Sequence, residues 1–376
     1  DISDAILDLK MKYLSPGQLR WVLIGCGIGA DTKVLIIDEI EQHLSQEQLN
    51  LILKVPSLVG SNESFLSSPS AMAAVEPHLV FPPTHVEFQK GMKENYLDQL
   101  VPSLPKAQKL IAVGGGNALD VGKYVAWKNN LPLIMIPTIV STGAVFQSPI
   151  AIRRSDRFEW LMKTVAPEFL LFDFGTIRRA PAHLNSSGMA ECICHLSQLA
   201  AWRWWLDQNL EAPDWDEKVA DEVMLWVHTR VDDFCSSLDD EGQPREVGIK
   251  IAAEINRERY DLQLFPLQVG HSLDHAFCIT FEWVHGRELF HGEMVALGSL
   301  INCFLYGWGF EETKSLLNKC RTRYRPADIG CTEKEVLDTL QELANFSDLI
   351  SHPQNYFHYR DIDHETFENM MAAIKM

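Results

Sequence analysis

Short, almost uniformly apolar stretches separated by helix-like ones mark the first half of the chain. Residues 21–24 (WVLI), 33–37 (KVLII), 109–113 (KLIAV), 133–136 (LIMI) and 169–172 (FLLF) lack the alternation of a half-exposed strand, and each is bounded by turn-forming residues or by Pro or Asp. Runs of this length predict strands buried on both faces. The stretches 46–54, 91–100 and 118–128 read as the helices between them. Strands that alternate with helices predict a doubly wound parallel sheet.

From Pro181 onward the pattern changes to long helical periodicity rich in Trp and Leu, with few β-branched runs. The expected architecture is an α/β dinucleotide-binding domain over residues 1–179 and an all-α domain over residues 180–376. The segment AAWRWWL (200–206) reads as core, with the subunit contact of a homodimer as the alternative.

Composition narrows the partners. The net charge of −18 over 376 residues repels polyanions, so nucleic acid is excluded as a partner. Apolar runs such as 131–140 are short and carry Pro132 and Pro137, well under the roughly 18 residues that a membrane-spanning helix needs, so no membrane partner is expected. The first residues are acidic and amphipathic, unlike a secretory signal. Eight cysteines are scattered, and Cys192 and Cys194 stand one residue too close for a CxxC pair. Reduced thiols in a cytoplasmic protein are expected.

Candidate chemistry begins at KLIAVGGGNALDVGK (109–123), a strand running into three glycines and then a helix. Backbone without side chains approaches a pyrophosphate closely, and a helix N-terminus offers free N–H groups and partial positive charge. Gly114, Gly115 and Gly116 are therefore cofactor candidates, against the plain reading of a tight strand-to-helix turn. Asp38 ends the strand 33–37, where a carboxylate accepts hydrogen bonds from both ribose hydroxyls and repels a 2′-phosphate, which favours NAD over NADP. The earlier GCGIGAD (25–31) precedes that strand and fits a connecting turn.

Three segments of the second half carry potential metal donors: Glu191 in SSGMAECICH, His271 in VGHSLDHAF and His291 in LFHGEMVALG. Two imidazoles and one carboxylate form the donor set of a divalent metal that polarises an alcohol or carbonyl oxygen. His271 and His275 are four apart and share a helix face. One of them binds and the other carries a proton between substrate and solvent, or both bind. His195 either faces the site or caps its helix, and His285 reads as a loop residue.

These segments resemble motifs of the superfamily that holds dehydroquinate synthase-like enzymes, glycerol-1-phosphate dehydrogenases and iron-containing alcohol dehydrogenases. GGGNALD with Lys123 is similar to the family's GGGxxxDxxK, Pro137-Thr138 to the PT after the next strand, and GMAE, GHxxxHA and HGExVAxG to the metal motifs of dehydroquinate synthase. The resemblance runs in order over roughly residues 105–300. It implies an NAD(P) cofactor and a divalent metal, for which a Glu and two His suit zinc first, with iron and nickel as alternatives. It also implies Glu191, His271 and His291 as ligands, His275 as the acid/base, and Asn117, Asp120, Lys123, Thr138 and Thr142 as cofactor contacts beside Gly114–Gly116.

Departures from the pattern choose the branch. Dehydroquinate synthases carry a lysine three residues after the ligand glutamate, where this chain has Cys194. They also carry an Asp and a GGKTxVN segment, where this chain reads STGAVFQSPIAIRR. Arg153 and Arg154 supply positive charge for a phosphate or carboxylate, or are solvent-facing hairpin residues. The expected function is a metal-dependent NAD(P) oxidoreductase acting on a polyol, sugar or polyol phosphate, like glycerol-1-phosphate dehydrogenase. The alternative is a sugar phosphate cyclase, a carbon-oxygen lyase that uses NAD catalytically.

Overall fold

The computed structural model describes residues 33–37, 63–79, 83, 85–146, 149–155, 157–163, 165–210, 212, 214–258, 273–343 and 356–376. The strand expected at 21–24, the helix at 46–54, Cys26, Asp38 and His271 lie outside them. The strands are β1 (Lys33–Ile37), β2 (Glu63–Ser67), β3 (His85–Phe88), β4 (Lys109–Gly114), β5 (Leu133–Pro137), β6 (Ile150–Arg154), β7 (Arg157–Leu161) and β8 (Phe169–Asp173). Six of them form one sheet in the order β1-β8-β5-β4-β2-β3 with every pairing parallel, and β6 and β7 form a separate two-stranded sheet.

This order contains a reversal. β3 pairs on one side of β2, the chain returns to place β4 on the other side, and β5 and β8 continue away from it. The carboxyl ends of β2 and β4 flank the reversal, with Ser67 in register with Val113 and the Ser67 hydroxyl donating to the Val113 carbonyl at 3.0 Å. In open α/β sheets the crevice beyond such a reversal is where ligands bind. The three glycines begin at the last residue of β4 at this point.

The apolar runs 109–113, 133–136 and 169–172 become the central strands β4, β5 and β8, almost wholly buried. Leu110, Ile111, Ala112 and Val113 of β4 are fully buried. Alternate residues Phe65, Ile111, Val113, Ile134, Ile136, Phe169 and Leu171 share a cluster with Ala71, Met72 and Val75 of α1 (Pro69–Val75). The side chain of Ser68 caps α1, and Pro69 takes its first position. α2 (Glu94–Ser103) begins three residues after the expected start, since Gly91 has φ +130° and Lys93 is the cap. α3 (Gly116–Asn129) packs on β4 and β5 and is closed by the left-handed Asn130. α4 (Phe174–Arg179) follows β8, with the Asp173 carboxylate accepting from the Thr176 N–H and hydroxyl.

By its internal contacts the described chain falls into two compact units. The first holds the described residues up to Thr138 with Ala144–Ile152 and Trp160–Arg179, and the second holds Ile139–Gly143, Arg153–Glu159 and the described residues from Ala180 on. The second unit is helical: α5 (Ala182–Ser186), α6 (Ala190–Asp207), α7 (Glu217–Ser236), α8 (Glu246–Glu258), α9 (Leu273–His285), α10 (His291–Tyr306), α11 (Phe310–Lys319), α12 (Pro326–Ile329), α13 (Glu333–Glu342) and α14 (His364–Lys375). Every residue of α6 from Ala190 to Trp202 is buried, as is every residue of α10 from Gly292 to Cys303. Helices buried all round lie at a centre, and α10 packs against both α6 and α9. Trp202, Trp204 and Trp205 are core side chains; the Trp202 ring lies 4.7 Å from that of Trp215, and the Trp204 ring 5.1 Å from that of Tyr306. No helix among the described residues is long and apolar enough to cross a membrane, and no disulfide links the described cysteines.

Inside the first unit, Lys123 is fully buried with its Nζ 2.6 Å from Asp120 Oδ1. The other carboxylate oxygen accepts the Ala151 N–H at 3.4 Å, which ties α3 to β6. Removing one partner of a buried pair leaves the other charge uncompensated, at a cost of about 3 to 5 kcal/mol. Lys123→Met should therefore destabilise the protein by that order in chemical denaturation, and Lys123→Met with Asp120→Leu by clearly less. Equal losses would mean that the uncompensated Asp120 charge is not what destabilises Lys123→Met.

Candidate metal centre and glycine loop

Two of the expected donors open helices. Glu191 is the second residue of α6, where the helix N-terminus favours negative charge, and His291 is the first residue of α10. His275 is the third residue of α9. Their polar atoms converge: His291 Nε2 stands 3.0 Å from Glu191 Oε1, and His275 Nε2 stands 3.5 Å from Glu191 Oε2. The ligand atoms of these three residues lie within 4.8 Å of one another. Glu191 is 1% exposed, whereas the side chains of His275 and His291 are 24% and 34% exposed. A buried carboxylate faced by two imidazoles that remain open on one side is a donor set that fits a divalent metal with a position left for substrate.

The chain reaches this geometry through one close approach. A Cβ on Gly292 would stand 2.2 Å from the Ser187 carbonyl oxygen, so only glycine after His291 lets α10 start against the turn that leads into Glu191. Burial on its own would push the His275 imidazole down. Asp274 at 2.7 Å and Glu191 outweigh that and hold it up to about 10. The metal-free imidazole therefore carries a proton that a metal must displace. Glu293, also in the HGE segment, is pushed up to about 7 by burial.

The neighbouring candidates sort by what they touch. His195 is buried; its ring stands edge-on to Trp226 at 5.3 Å, and its Nδ1 lies 3.0 Å from the Cys192 carbonyl. His285 ends α9 with Nε2 3.1 Å from the Glu335 carbonyl and from Thr339 Oγ1, so it joins two helices. Cys278 Sγ stands 3.5 Å from His291 Nδ1. Cys194, at the place of the synthase lysine, groups with Asp274 and His275. Arg153 is not a solvent-facing residue. It is 13% exposed and pairs with Glu282 of α9, its Nε at 2.8 Å, and its guanidinium lies 4.8 Å from the centre of the Phe158 ring. Arg154 pairs with Glu159 at the surface.

In the first unit the glycine loop sits at the sheet reversal. Gly114 has φ +146°, in the region that favours glycine, and a Cβ there would meet the Ala118 Cβ at 2.8 Å. Gly115 caps α3 without a side chain, Gly116 and the exposed Asn117 form its first turn, and the Thr138 N–H donates to the Gly114 carbonyl at 3.1 Å. Gly114, Gly115, Gly116, Asn117 and Thr138 thus gather at one end of the sheet and suit a pyrophosphate. Asp120 and Lys123 do not join them as open ligand groups: both are buried, and the fully enclosed Lys123 ammonium is engaged by Asp120, which gives the pair a structural part. Thr142 belongs to the second unit.

Two residues escaped the reading of the sequence. Ser67 stands opposite the glycine loop across the reversal, and the signal was the strand-Ser-Ser-Pro sequence ESFLSSP. Asp274 lies beside His275, and the signal was the DH pair itself.

Residues 70–181 match the model of the iron-containing alcohol dehydrogenase family. The glycerol-1-phosphate dehydrogenase [NAD(P)+] of Saccharolobus solfataricus is 24% identical over 249 residues, 66% of this chain and 68% of that protein. These matches are what the chain is similar to within the iron-containing alcohol dehydrogenase superfamily. Glycerol-1-phosphate dehydrogenase [NAD(P)+] of Saccharolobus islandicus is likewise 24% identical, and the match spans 64% of its length. Among solved structures, a probable glycerol dehydrogenase from Sinorhizobium meliloti superposes with a TM-score of 0.58 at 19% identity, covering 90% of this chain and 95% of that one. Glycerol dehydrogenase from Schizosaccharomyces pombe gives 0.57 at 18%, covering 90% and 88%. The fold is the one these solved structures share.

Because Gly292 permits the approach that joins His291 to Glu191, Gly292→Ala should lower stability by about 1 to 3 kcal/mol and reduce bound metal. Thermal melting and metal analysis of the purified variant check this; a fully metallated, equally stable variant would contradict it.

Proposed function

We propose that the protein is a metal-dependent NAD(P) oxidoreductase acting on a polyol, a sugar or a polyol phosphate. The observation that carries the reading is the buried Glu191 carboxylate with His291 Nε2 at 3.0 Å and His275 Nε2 at 3.5 Å. Glu191, His275 and His291 would hold the metal, with His271, which lies outside the described residues, as a further ligand or as the proton carrier. The glycine loop, Asn117 and Thr138 would hold the pyrophosphate, and Asp38 the ribose of NAD. When bound, the metal supplies Lewis acidity at the substrate oxygen and the nicotinamide takes or gives the hydride.

Zinc and iron both suit two imidazoles and a carboxylate. We favour zinc from the donor set, while the family description points to iron, and metal analysis of the purified protein separates them. The relatives that act on glycerol 1-phosphate support a polyol phosphate. Any phosphate would have to compete with Glu282 for Arg153, whose charge that carboxylate already offsets. The cyclase reading has less support, because Cys194, 1% exposed, occupies the position of the lysine that the synthase motif requires.

The test is a metal-supplemented assay at 340 nm with NAD and NADP across polyols, sugars and their phosphates. Metal-dependent formation of reduced cofactor, lost in Glu191→Ala and in His291→Ala, is the expected result. Consumption of a sugar phosphate without net absorbance change would establish the cyclase instead.

A further inference from the structure

α7 and α11 pack side by side and run in the same direction along one seam. On α7, His228, Asp232 and Cys235 recur at spacings of four and three residues, so they share a face. His228 Nε2 stands 2.6 Å from Glu312 Oε1 in the first turn of α11, and Asp232 pairs with Lys319 in its last turn. At the end of the seam the sulfurs of Cys235 and Cys320 stand 3.6 Å apart. Cys235 is the next-to-last residue of α7, and Cys320 caps α11. The backbone beyond Cys320 is held firmly. The Arg321 N–H donates to the Asn318 carbonyl and the Thr322 N–H to the Leu317 carbonyl, each at 3.0 Å, and the buried Thr322 hydroxyl donates to the Ser186 carbonyl at 2.9 Å.

Exposure separates the two thiols. Among the described cysteines Cys235 is half-buried and the other six are buried, Cys320 wholly so. An oxidant that arrives from solvent therefore meets Cys235 first, with a second thiol directly behind it. We propose that Cys235 and Cys320 form a reversible redox site, in which a hydroperoxide oxidises Cys235 and Cys320 then closes a disulfide that joins α7 to α11. The Cys235 thiolate attacks the peroxide: an S–O bond forms, the O–O bond breaks, and the oxygen that leaves takes up a proton, as water in the case of hydrogen peroxide. The Cys320 sulfur then attacks the sulfenic sulfur. The S–S bond forms, the S–O bond breaks, and the hydroxyl group leaves as water with the Cys320 proton. A dithiol reductant returns both thiols and is itself oxidised to a disulfide. Electrostatics favour this order. The hydrogen bond from the Cys320 thiol and the nearby Lys319 ammonium draw the Cys235 thiol down against its partial burial, while the same contact and burial hold the Cys320 thiol up. The thiolate is the reactive form, so Cys235 attacks and Cys320 resolves. A disulfide places its sulfurs about 2.05 Å apart, so they must approach by about 1.5 Å, and the last turns of two helices are where a chain yields most readily.

The full-length protein is reduced, freed of reductant and treated with hydrogen peroxide, then compared with the untreated protein by intact mass and by peptide mapping without reduction. The expected result is a mass lowered by two hydrogens, a map that joins the peptide of Cys235 to that of Cys320, and full recovery of both thiols with dithiothreitol. Cys235→Ser should abolish the cross-link and leave Cys320 as a thiol. Cys320→Ser should leave Cys235 as a sulfenic acid that dimedone labels, whereas in the wild-type chain the disulfide consumes that acid. Circular dichroism and melting of each variant identify one that fails to fold, and the half-buried Cys235→Ser site then carries the test. A peroxide-treated wild-type chain with both thiols intact would overturn the proposal. So would a cross-link from Cys320 to Cys192, the other thiol whose charge bears on it, or oxidation of Cys235 that stops at the labelled acid with no cross-link.

Discussion

A carboxylate withdrawn from water costs several kcal/mol unless positive charge or hydrogen-bond donors answer it, and Glu191 sits at the middle of the helical unit under that constraint. Much of the local structure follows from it. The group stands in the first turn of α6, where the helix terminus eases a negative charge, and it is faced by imidazoles from the first turns of α9 and α10. Of these, α10 comes near enough only because glycine follows His291. The helices that carry Glu191 and His291 are buried nearly all round, so packing on every side fixes the directions in which these side chains point.

The first unit meets a different constraint with similar economy. A phosphate approaching backbone needs a place where no side chain intervenes and where N–H groups are unspent. The reversal in strand order opens such a place beyond β2 and β4, and the glycines follow β4 into it. Behind the loop, the Asp120–Lys123 pair holds α3 to the chain at Ala151, so the residues that look like cofactor ligands divide into those at the opening and those that brace it.

The central strands were legible because β4, β5 and β8 are covered on both faces and their sequences are apolar throughout. β2 and β3 were not, since ESFLS mixes serines into a buried strand, where the Ser67 hydroxyl donates to the Val113 carbonyl, and HVEF is a short edge strand with a charged residue. The Arg pair that ends β6 was read as either a solvent-facing pair or a source of charge for a substrate, and it divides: Arg153 is part-buried against Glu282 while Arg154 stays at the surface. Glu191 and His291 were legible from residue type and helical context. Spacing alone left His271 and His275 interchangeable, since two residues four apart share a face whichever of them binds. Asp274 was marked only by the DH pair itself, because its bond to His275 Nδ1 depends on which nitrogen faces Glu191.

The claim on which the rest depends is that Glu191, His275 and His291 hold one metal ion. X-ray absorption on the metal-loaded protein, at the edge of the metal it retains, measures that directly. The account predicts a first shell of nitrogen and oxygen donors at roughly 2.0 to 2.2 Å, with the imidazole scattering reduced in His275→Ala and in His291→Ala. A shell containing sulfur, or one left unaltered by removal of either imidazole, would contradict it.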